Sequence, residues 1–265
     1  MLTPQAHVPS RLFQGYSFHS PQREPSCFSR TFPTLSCYAG VLVEALRMHC
    51  AARQGTCDDM AWTRGSEGIF HNLLRVGCSV HIEGLENLAA MHEPCVFIGN
   101  HMSTLDAFGL PAIIRPFMPV TPVVKRSLCT MPFFGPIMCS RQPIPVDRVN
   151  PREDFKAVME GGTKHLANGI SMIVFPQSTR STVFDPAKFN TIGIKLAKHA
   201  NVPIIPMALK TDAWGQGKYT KDLGAINPAL PIHFRFGKAL RVQGNGKEEH
   251  AHIIQFIQQS LDEWQ

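Results

Sequence analysis

His101 and Asp106 lie five positions apart and are residue types that can form an acid–base pair. An imidazole titrates near neutral pH, and a carboxylate bonded to one ring nitrogen leaves the other free to accept a proton. In one regular helix, side chains five residues apart point about 140° away from each other and cannot touch. The pair can therefore form only if His101 precedes a helix that begins near Ser103, with Asp106 in its first turn.

Asp106 also fits a structural role. The run Ser103-Thr104-Leu105-Asp106 matches a capping box, in which the last side chain accepts a hydrogen bond from the backbone at the helix start. Spacing alone leaves two interpretations open. Asp106 either serves only the helix start or orients a catalytic histidine.

Other catalytic patterns are absent from the sequence. There is no G-x-S-x-G motif, which argues against a serine hydrolase of that type. Lys218 and Lys247 follow glycines, but neither stretch fits a phosphate-binding loop, and both indicate turns. The eight cysteines form no C-x-x-C pair, and neither cysteine nor histidine clusters at ligand spacing. This predicts no metal site and a reduced, cytosol-facing compartment.

Basic residues follow several apolar runs that are typical of strands. Lys125 and Arg126 follow VTPVV, Arg148 closes RQPIPVDR, and Arg180 lies in FPQSTRS (175–181). Each of these charges alone is typical of a solvated surface. Together they could form a phosphate pocket, because a guanidinium group can hold a phosphate through two parallel hydrogen bonds.

The elements that must position these residues alternate between strand and helix from Cys78 onward. Strands are predicted at 78–83, 95–99, 120–124, 171–175, 203–209 and 232–236, and helices at 104–114, 152–168, 187–200 and 247–264. The fold class is therefore α/β, with a mixed, largely parallel sheet covered by helices. In such sheets ligands bind beyond the carboxyl ends of strands, where both NHMSTLD (100–106) and FPQSTRS are expected to lie.

The N-terminal part of the chain is predicted to differ from this domain. Residues 1–36 are rich in proline and serine, which indicates a disordered or targeting-like extension. Residues 37–76 are predicted to form a short helical hairpin, with helices at 38–48 and around 66–74. Their apolar residues fit either core packing or a position on the membrane interface, where nearby arginines would meet lipid head groups.

Composition narrows the classes of partner. The hydrophobic content of 44% is sufficient for a core, and the net charge of +6 favours anionic partners such as phosphorylated molecules, acidic carrier proteins or lipid surfaces. Nucleic acid is disfavoured, because the basic residues are scattered and form no block. No stretch reaches the roughly 18 apolar residues that a spanning helix needs, and no secretory signal is predicted.

Four blocks in order resemble the motifs of glycerolipid acyltransferases, whose type members are 1-acyl-glycerol-3-phosphate acyltransferases. NHMSTLD looks like the NH-x-S-x-x-D form of their H-x4-D motif. The segments FGP to IPVDR (134–148) and VPIIP (202–206) are similar to the second and fourth blocks. FPQSTRS resembles the third block, which is usually F-P-E-G-T-R-S. The resemblance covers residues 60 to 242, the larger part of the chain.

The resemblance implies an enzyme that moves a fatty acyl group from acyl-CoA or acyl carrier protein to a lysophospholipid. The expected acceptor is 1-acyl-glycerol-3-phosphate, and the product is phosphatidic acid. His101 would be the general base, Asp106 would orient it, and Arg148 and Arg180 would hold the acceptor's phosphate. The resemblance further implies no cofactor beyond the thioester co-substrate, an acyltransferase domain over 77–265, and association with the cytoplasmic side of a membrane.

Four more residues are predicted to contribute to the acceptor site: Lys125, Gln177, Ser178 and Thr179. Gln177 and Ser178 depart from the usual Glu and Gly of the third block, which leaves the identity of the acceptor open. Gln177 is predicted to sense the charge of the acceptor, because it removes a carboxylate and adds a hydrogen-bond donor. The alternative is that it points into the protein and only supports the turn after Pro176.

Two other classes of function remain possible from the sequence. One is a non-catalytic relative that keeps the fold and binds a lipid or a partner, which the intact His101 and Asp106 disfavour. The other is an acyl thioesterase, in which water replaces the acceptor. The arginine set disfavours the thioesterase, because water needs no phosphate-binding group.

Overall fold

The computed structural model describes residues 10–21, 24–177, 179–218 and 220–265, and within them the chain forms one sheet of eight strands. The strands are β1 (Phe18–His19), β2 (Val80–Glu83), β3 (Val96–Gly99), β4 (Val120–Lys125), β5 (Ile144–Val146), β6 (Ser171–Val174), β7 (Ile204–Lys210) and β8 (Ile232–Phe236). Their order across the sheet is β1-β2-β8-β7-β3-β6-β4-β5.

Five neighbouring strands, from the centre of the sheet to one of its outer edges, are parallel to one another. Strands β7, β3, β6, β4 and β5 all run in the same direction, whereas β8 is antiparallel to β7 and β1 is antiparallel to β2. The fold is thus the predicted mixed, largely parallel α/β sheet. The carboxyl ends of the five parallel strands meet at one edge, which is where such sheets bind ligands.

Helices cover both faces of the sheet. They are α1 (Cys27–Thr31), α2 (Pro33–Arg53), α3 (Asp59–Arg75), α4 (Leu85–Ala89), α5 (Thr104–Ile114), α6 (Arg126–Cys129), α7 (Gly135–Cys139), α8 (Pro151–Ala167), α9 (Ile192–Ala200) and α10 (Lys247–Glu263). Side chains alternate along a strand, so Phe97 of β3 packs with α3 and α5 on one face, and Val96 and Ile98 pack with α8, α9 and α10 on the other.

All six predicted strands are present, each within two residues of its predicted bounds. Of the four predicted helices, the one expected over 187–200 begins only at Ile192. Asn190 explains the delay, because its side-chain oxygen accepts the N–H of Ile192 while its amide donates to the carbonyl of Pro176. A short 3-10 turn, Pro186–Lys188, precedes it.

The prediction of disorder over 1–36 is wrong for residues 10–21 and 24–36. Leu12 and Phe13 are buried, and the Phe13 ring stacks on Phe117. Phe18–His19 adds an edge strand to the sheet. Composition alone does not indicate these contacts, because they depend on a few apolar residues in a segment that is otherwise rich in proline and serine. Residues 1–9 lie outside the described residues, and a targeting role stays a prediction.

The predicted helices at 38–48 and 66–74 lie within α2 and α3, which pack closely against each other. A Cβ atom added at Gly65 of α3 would meet Sδ of Met48 at 2.1 Å, so the Met48 side chain occupies the space that glycine leaves open. The apolar residues of α3, such as Phe70 and Leu73, are fully buried in the core. The interpretation of that stripe as a membrane-facing surface is therefore wrong for α3, and core packing is correct.

Candidate active site

The loop after β3 is fixed to the neighbouring strand before it reaches the candidate base. The Asn100 side chain donates to the carbonyl of Leu209 (2.7 Å) and accepts the N–H of the same residue (2.8 Å), which ties the end of β3 to β7. Helix α5 then begins at Thr104, with Ser103 as its N-cap. His101 therefore lies on the loop, in the position that allows contact with Asp106 in the first helical turn.

His101 and Asp106 form a hydrogen-bonded pair. Nδ1 of His101 donates to Oδ2 of Asp106 at 2.8 Å, and the Asp106 side chain is fully buried. This bond fixes the tautomer with the proton on Nδ1. Nε2 has no hydrogen-bond partner within the part of the chain that the structure describes, and 13% of the His101 side chain is exposed. Nε2 is thus placed to accept a proton from a bound molecule.

Both interpretations of Asp106 hold at once. Its Oδ2 also accepts the backbone N–H groups of Met102 (2.6 Å) and Ser103 (3.0 Å), which completes the capping box. Its Oδ1 accepts the hydroxyl of Thr211, and that hydroxyl in turn accepts the hydroxyl of Ser103. Four donors thus compensate the buried carboxylate and hold it rigidly against His101.

The loop after β6 encloses His101 from the other side. The ring of Phe175 stacks on the imidazole, with centroids 4.3 Å apart. The Gln177 side-chain oxygen accepts the N–H of His101 (2.8 Å), and the N–H of Ser181 donates to the carbonyl of His101 (3.0 Å). The stretches NHMSTLD and FPQSTRS therefore face one site, as their positions at strand ends predict.

Two arginines beside this pair interact electrostatically with each other. Arg180 donates to the hydroxyl of Thr104, the first residue of α5, and forms an ion pair with Asp222 at 2.6 Å. Burial lowers the pKa of Arg148, and the neighbouring charge of Arg180 lowers it further. Two guanidinium groups close enough to repel are an arrangement that an anion would stabilise.

The backbone at Arg148 is in an uncommon conformation. Its φ is +60°, in the left-handed region that non-glycine residues rarely adopt. The carboxylate of Asp154, in the first turn of α8, accepts the N–H groups of Asp147 and Arg148, each at 2.8 Å. These bonds hold the strained turn and fix the direction in which Arg148 leaves β5.

Residues 79–210 match the model of the acyltransferase family. The chain is 31% identical over 180 residues to the 1-acyl-sn-glycerol-3-phosphate acyltransferase of Pseudomonas aeruginosa, which covers 68% of this chain and 66% of that protein. The chain belongs to the acyltransferase family. His101, Asp106, Arg148 and Arg180 all lie within the matched region, whereas Thr211 and Asp222 lie beyond its end.

Other relatives carry the same description. The 1-acyl-sn-glycerol-3-phosphate acyltransferase of Saccharomyces cerevisiae is 33% identical over 138 residues, which cover 51% of this chain and 44% of that protein. The chloroplastic enzyme BAT2 of Brassica napus is 30% identical over 151 residues, which cover 55% of this chain and 41% of that protein. The chain thus spans between 41% and 66% of the length of the three curated relatives named here.

A solved structure shares the fold of this chain. The crystal structure of the 1-acyl-sn-glycerophosphate (LPA) acyltransferase PlsC from Thermotoga maritima aligns with a TM-score of 0.60 over 89% of this chain and 92% of that one. Sequence identity is 18%, so this likeness concerns the fold alone.

The predicted acceptor residues differ in exposure and in contacts. Gln177 is 5% exposed, and its side-chain oxygen accepts the N–H of His101, so the side chain points into the protein, the orientation that the alternative interpretation expects. Its influence on the choice of acceptor stays a prediction. Lys125 and Thr179 are exposed, at the end of β4 and in the loop after β6. Their contribution to the site stays a prediction, and Ser178 lies outside the described residues.

Two residues that the sequence did not single out complete the site. Thr211 directly follows β7, and the signal that could have identified it is its place as the first polar residue beyond an apolar strand end. Asp222 lies in the long connection between β7 and β8 and pairs with Arg180. No motif surrounds Asp222, and only the folded chain brings it to Arg180.

Proposed function

We propose that the protein transfers a fatty acyl group from acyl-CoA or acyl carrier protein to 1-acyl-glycerol-3-phosphate and so produces phosphatidic acid. The observation that supports this function is a histidine base, whose Nε2 has no hydrogen-bond partner among the described residues, together with two arginines at the carboxyl edge of the sheet. The base suits an acceptor hydroxyl, and the arginines suit the phosphate of the same acceptor.

The chemistry needs only the groups in place. Nε2 of His101 accepts the proton of the acceptor hydroxyl while that oxygen attacks the carbonyl carbon of the thioester. The tetrahedral intermediate expels the thiolate, which takes the proton back from the imidazolium and leaves as the free thiol. Asp106 holds Nδ1–H throughout and stabilises the imidazolium that forms transiently. No covalent enzyme intermediate is required.

The test is to incubate purified protein with labelled acyl-CoA or acyl carrier protein thioester and a panel of lysophospholipids. We expect labelled phosphatidic acid, with lysophosphatidic acid as the preferred acceptor. Free fatty acid without phospholipid product would identify a thioesterase. Neither product, from a folded protein, would identify a binding relative of the fold.

We further propose that α1 and α2 bring the enzyme to the membrane surface. Leu35, Leu42 and Leu46 recur at helical spacing and are largely exposed, which places them on one outer face of α2. Phe28, Phe32 and Val43 add to the exposed apolar side chains of this region. Among the described residues no helix is long and apolar enough to span a bilayer. An exposed apolar helix face supports binding in the plane of the interface.

Replacing Leu42 by serine is expected to weaken binding to phospholipid vesicles. Leu42 is 56% exposed, and losing its partial burial in lipid should reduce the partition coefficient about three- to tenfold, which is roughly half the value of a fully buried leucine. Cosedimentation with vesicles that contain anionic lipid measures the effect. Phe155→Ser is the matched control, because Phe155 is also exposed but lies on α8, across the sheet. Equal binding by the Leu42 and Phe155 variants would contradict the assignment of this face.

A further inference from the structure

The ion pair between Arg180 and Asp222 places a carboxylate on the group that would bind the acceptor's phosphate. An oxygen of Asp222 lies 2.6 Å from Nη2 of Arg180. We infer that Asp222 is an internal competitor for the acceptor's phosphate: its carboxylate occupies Arg180 in the empty site and must leave when a phosphorylated acceptor binds. The inference rests on the proposed function and names a residue that determines how readily that site accepts anions.

The backbone of Asp222 is anchored, so its side chain is directed at Arg180. The Asp222 carbonyl accepts the hydroxyl of Thr104 and the indole N–H of the buried Trp214, each at 3.2 Å. A further backbone bond joins the N–H of Gly215 to the carbonyl of Ala225 at 2.9 Å and closes the loop around Asp222. None of these bonds involves the side chain of Asp222, so all of them would survive its replacement.

Thr104 connects this loop to the catalytic pair. Its hydroxyl accepts a hydrogen bond from Nη1 of Arg180 and donates to the carbonyl of Asp222. Thr104 begins α5, whose first turn carries Asp106. Arg180 is therefore held next to the base whether or not the carboxylate of Asp222 is present, which leaves the carboxylate free to exchange with another anion.

The exposure of the Asp222 side chain indicates that a phosphate can displace its carboxylate from Arg180. The side chain of Asp222 is 53% exposed, whereas that of Arg180 is only 17% exposed. An ion pair that is open to solvent on one side contributes little, because water and ions screen it. A phosphate offers more charge and more acceptor oxygens, and it meets a second guanidinium, that of Arg148, which lies near Arg180. Phosphate can thus displace Asp222, while weaker anions are kept off Arg180.

The test compares Asp222→Asn with the wild-type protein in two measurements. Calorimetry gives the Kd for glycerol 3-phosphate, and steady-state kinetics with acyl-CoA gives KM and kcat for lysophosphatidic acid. Removing the competitor is expected to lower both Kd and KM about two- to fivefold, the range set by an exposed ion pair. KM for a monoacylglycerol, which has no phosphate, should not change.

Glu93→Gln is the matched control. Glu93 also pairs with an arginine, Arg241, and is similarly exposed, but it precedes β3 at the opposite edge of the sheet. Asp222→Ser repeats the test with a smaller side chain, and thermal unfolding verifies that each variant folds. Asp222→Glu keeps the charge and is expected to resemble wild type.

Each outcome has a defined meaning. A higher Kd and KM in Asp222→Asn would show that Asp222 orients Arg180 for phosphate, and this would overturn the inference. Equal values in variant and wild type, or no binding by either, would overturn it as well. Tighter glycerol 3-phosphate binding without acyl transfer by any form would support the inference and reject the proposed function instead.

Discussion

Replacing His101 by alanine is expected to lower kcat for acyl transfer about 10²- to 10⁴-fold, the usual contribution of a positioned general base. The reason lies in the geometry of the pair, in which Asp106 binds Nδ1 and leaves Nε2 as the proton acceptor. Without the imidazole, the acceptor hydroxyl must lose its proton to water as it attacks the thioester. Initial rates with labelled acyl-CoA and saturating lysophosphatidic acid measure the effect.

The fold should survive this substitution, which makes His101 a cleaner test than Asp106. His101 contributes one side-chain hydrogen bond and a ring contact with Phe175. Asp106 accepts four hydrogen bonds and begins a helix, so its loss would disturb the structure as well as the chemistry. His252→Ala, on the exposed side of α10, is the control for removing a histidine. Near-normal turnover by a folded His101→Ala protein would exclude the general-base mechanism.

The sequence predicted the parts of the fold that rest on local pattern. Strands such as β3 and β6 are continuous apolar runs bounded by polar residues, and that pattern suits strands buried on both faces. Strand β5 was missed because Ile144–Val146 has three residues and contains Pro145, which hides any period. Helices α6 and α7 lie in the run 126–139, where prolines and short length conceal helical spacing.

In the candidate site, too, contacts within a short stretch could be predicted from the sequence, whereas contacts between distant residues could not. Contact between His101 and Asp106 follows from a loop and a helix start six residues long, so local sequence could predict it. Thr211 and Asp222 are more than 100 positions away from Asp106, and their places depend on β7 lying next to β3. The orientation of Gln177 was equally hidden, because a turn residue can face either the ligand or the backbone behind it. In the folded chain the backbone N–H of His101 donates to the side-chain oxygen of Gln177, and this bond turns the Gln177 side chain inward.

The oxygen of Gln177 also explains how the site tolerates its departure from the usual glutamate. A carboxylate at this position could accept the N–H of His101 as the amide oxygen does, so the loop geometry does not depend on the charge. The carboxylate that pairs with Arg180 comes instead from another part of the chain, Asp222. Under the proposed function, we therefore expect acceptor charge to act on Arg180 and its neighbours rather than on Gln177.

Replacing Arg180 by alanine is expected to raise KM for lysophosphatidic acid about 10- to 150-fold, since a hydrogen bond to a charged group contributes about 1.5–3 kcal/mol. Turnover at saturating acceptor should change little, because the phosphate is held equally in the ground state and the transition state. Arg148→Ala should act in the same direction, since the charge of Arg180 lowers the pKa of Arg148 and the two guanidinium groups therefore influence each other. Steady-state kinetics with varied lysophosphatidic acid measures both variants.

Arg241→Ala is the control for losing an arginine, because Arg241 forms an ion pair with Glu93 at the far edge of the sheet. Unchanged KM in both Arg180→Ala and Arg148→Ala would contradict the assignment of a phosphate pocket to this site.

The Arg180 variant also tests the role of Asp222. In the Arg180→Ala background the Asp222 carboxylate has no Arg180 guanidinium to pair with. Asp222→Asn should therefore no longer lower KM in that background. A persistent effect of Asp222→Asn in that background would mean that the carboxylate acts by repelling the acceptor at a distance.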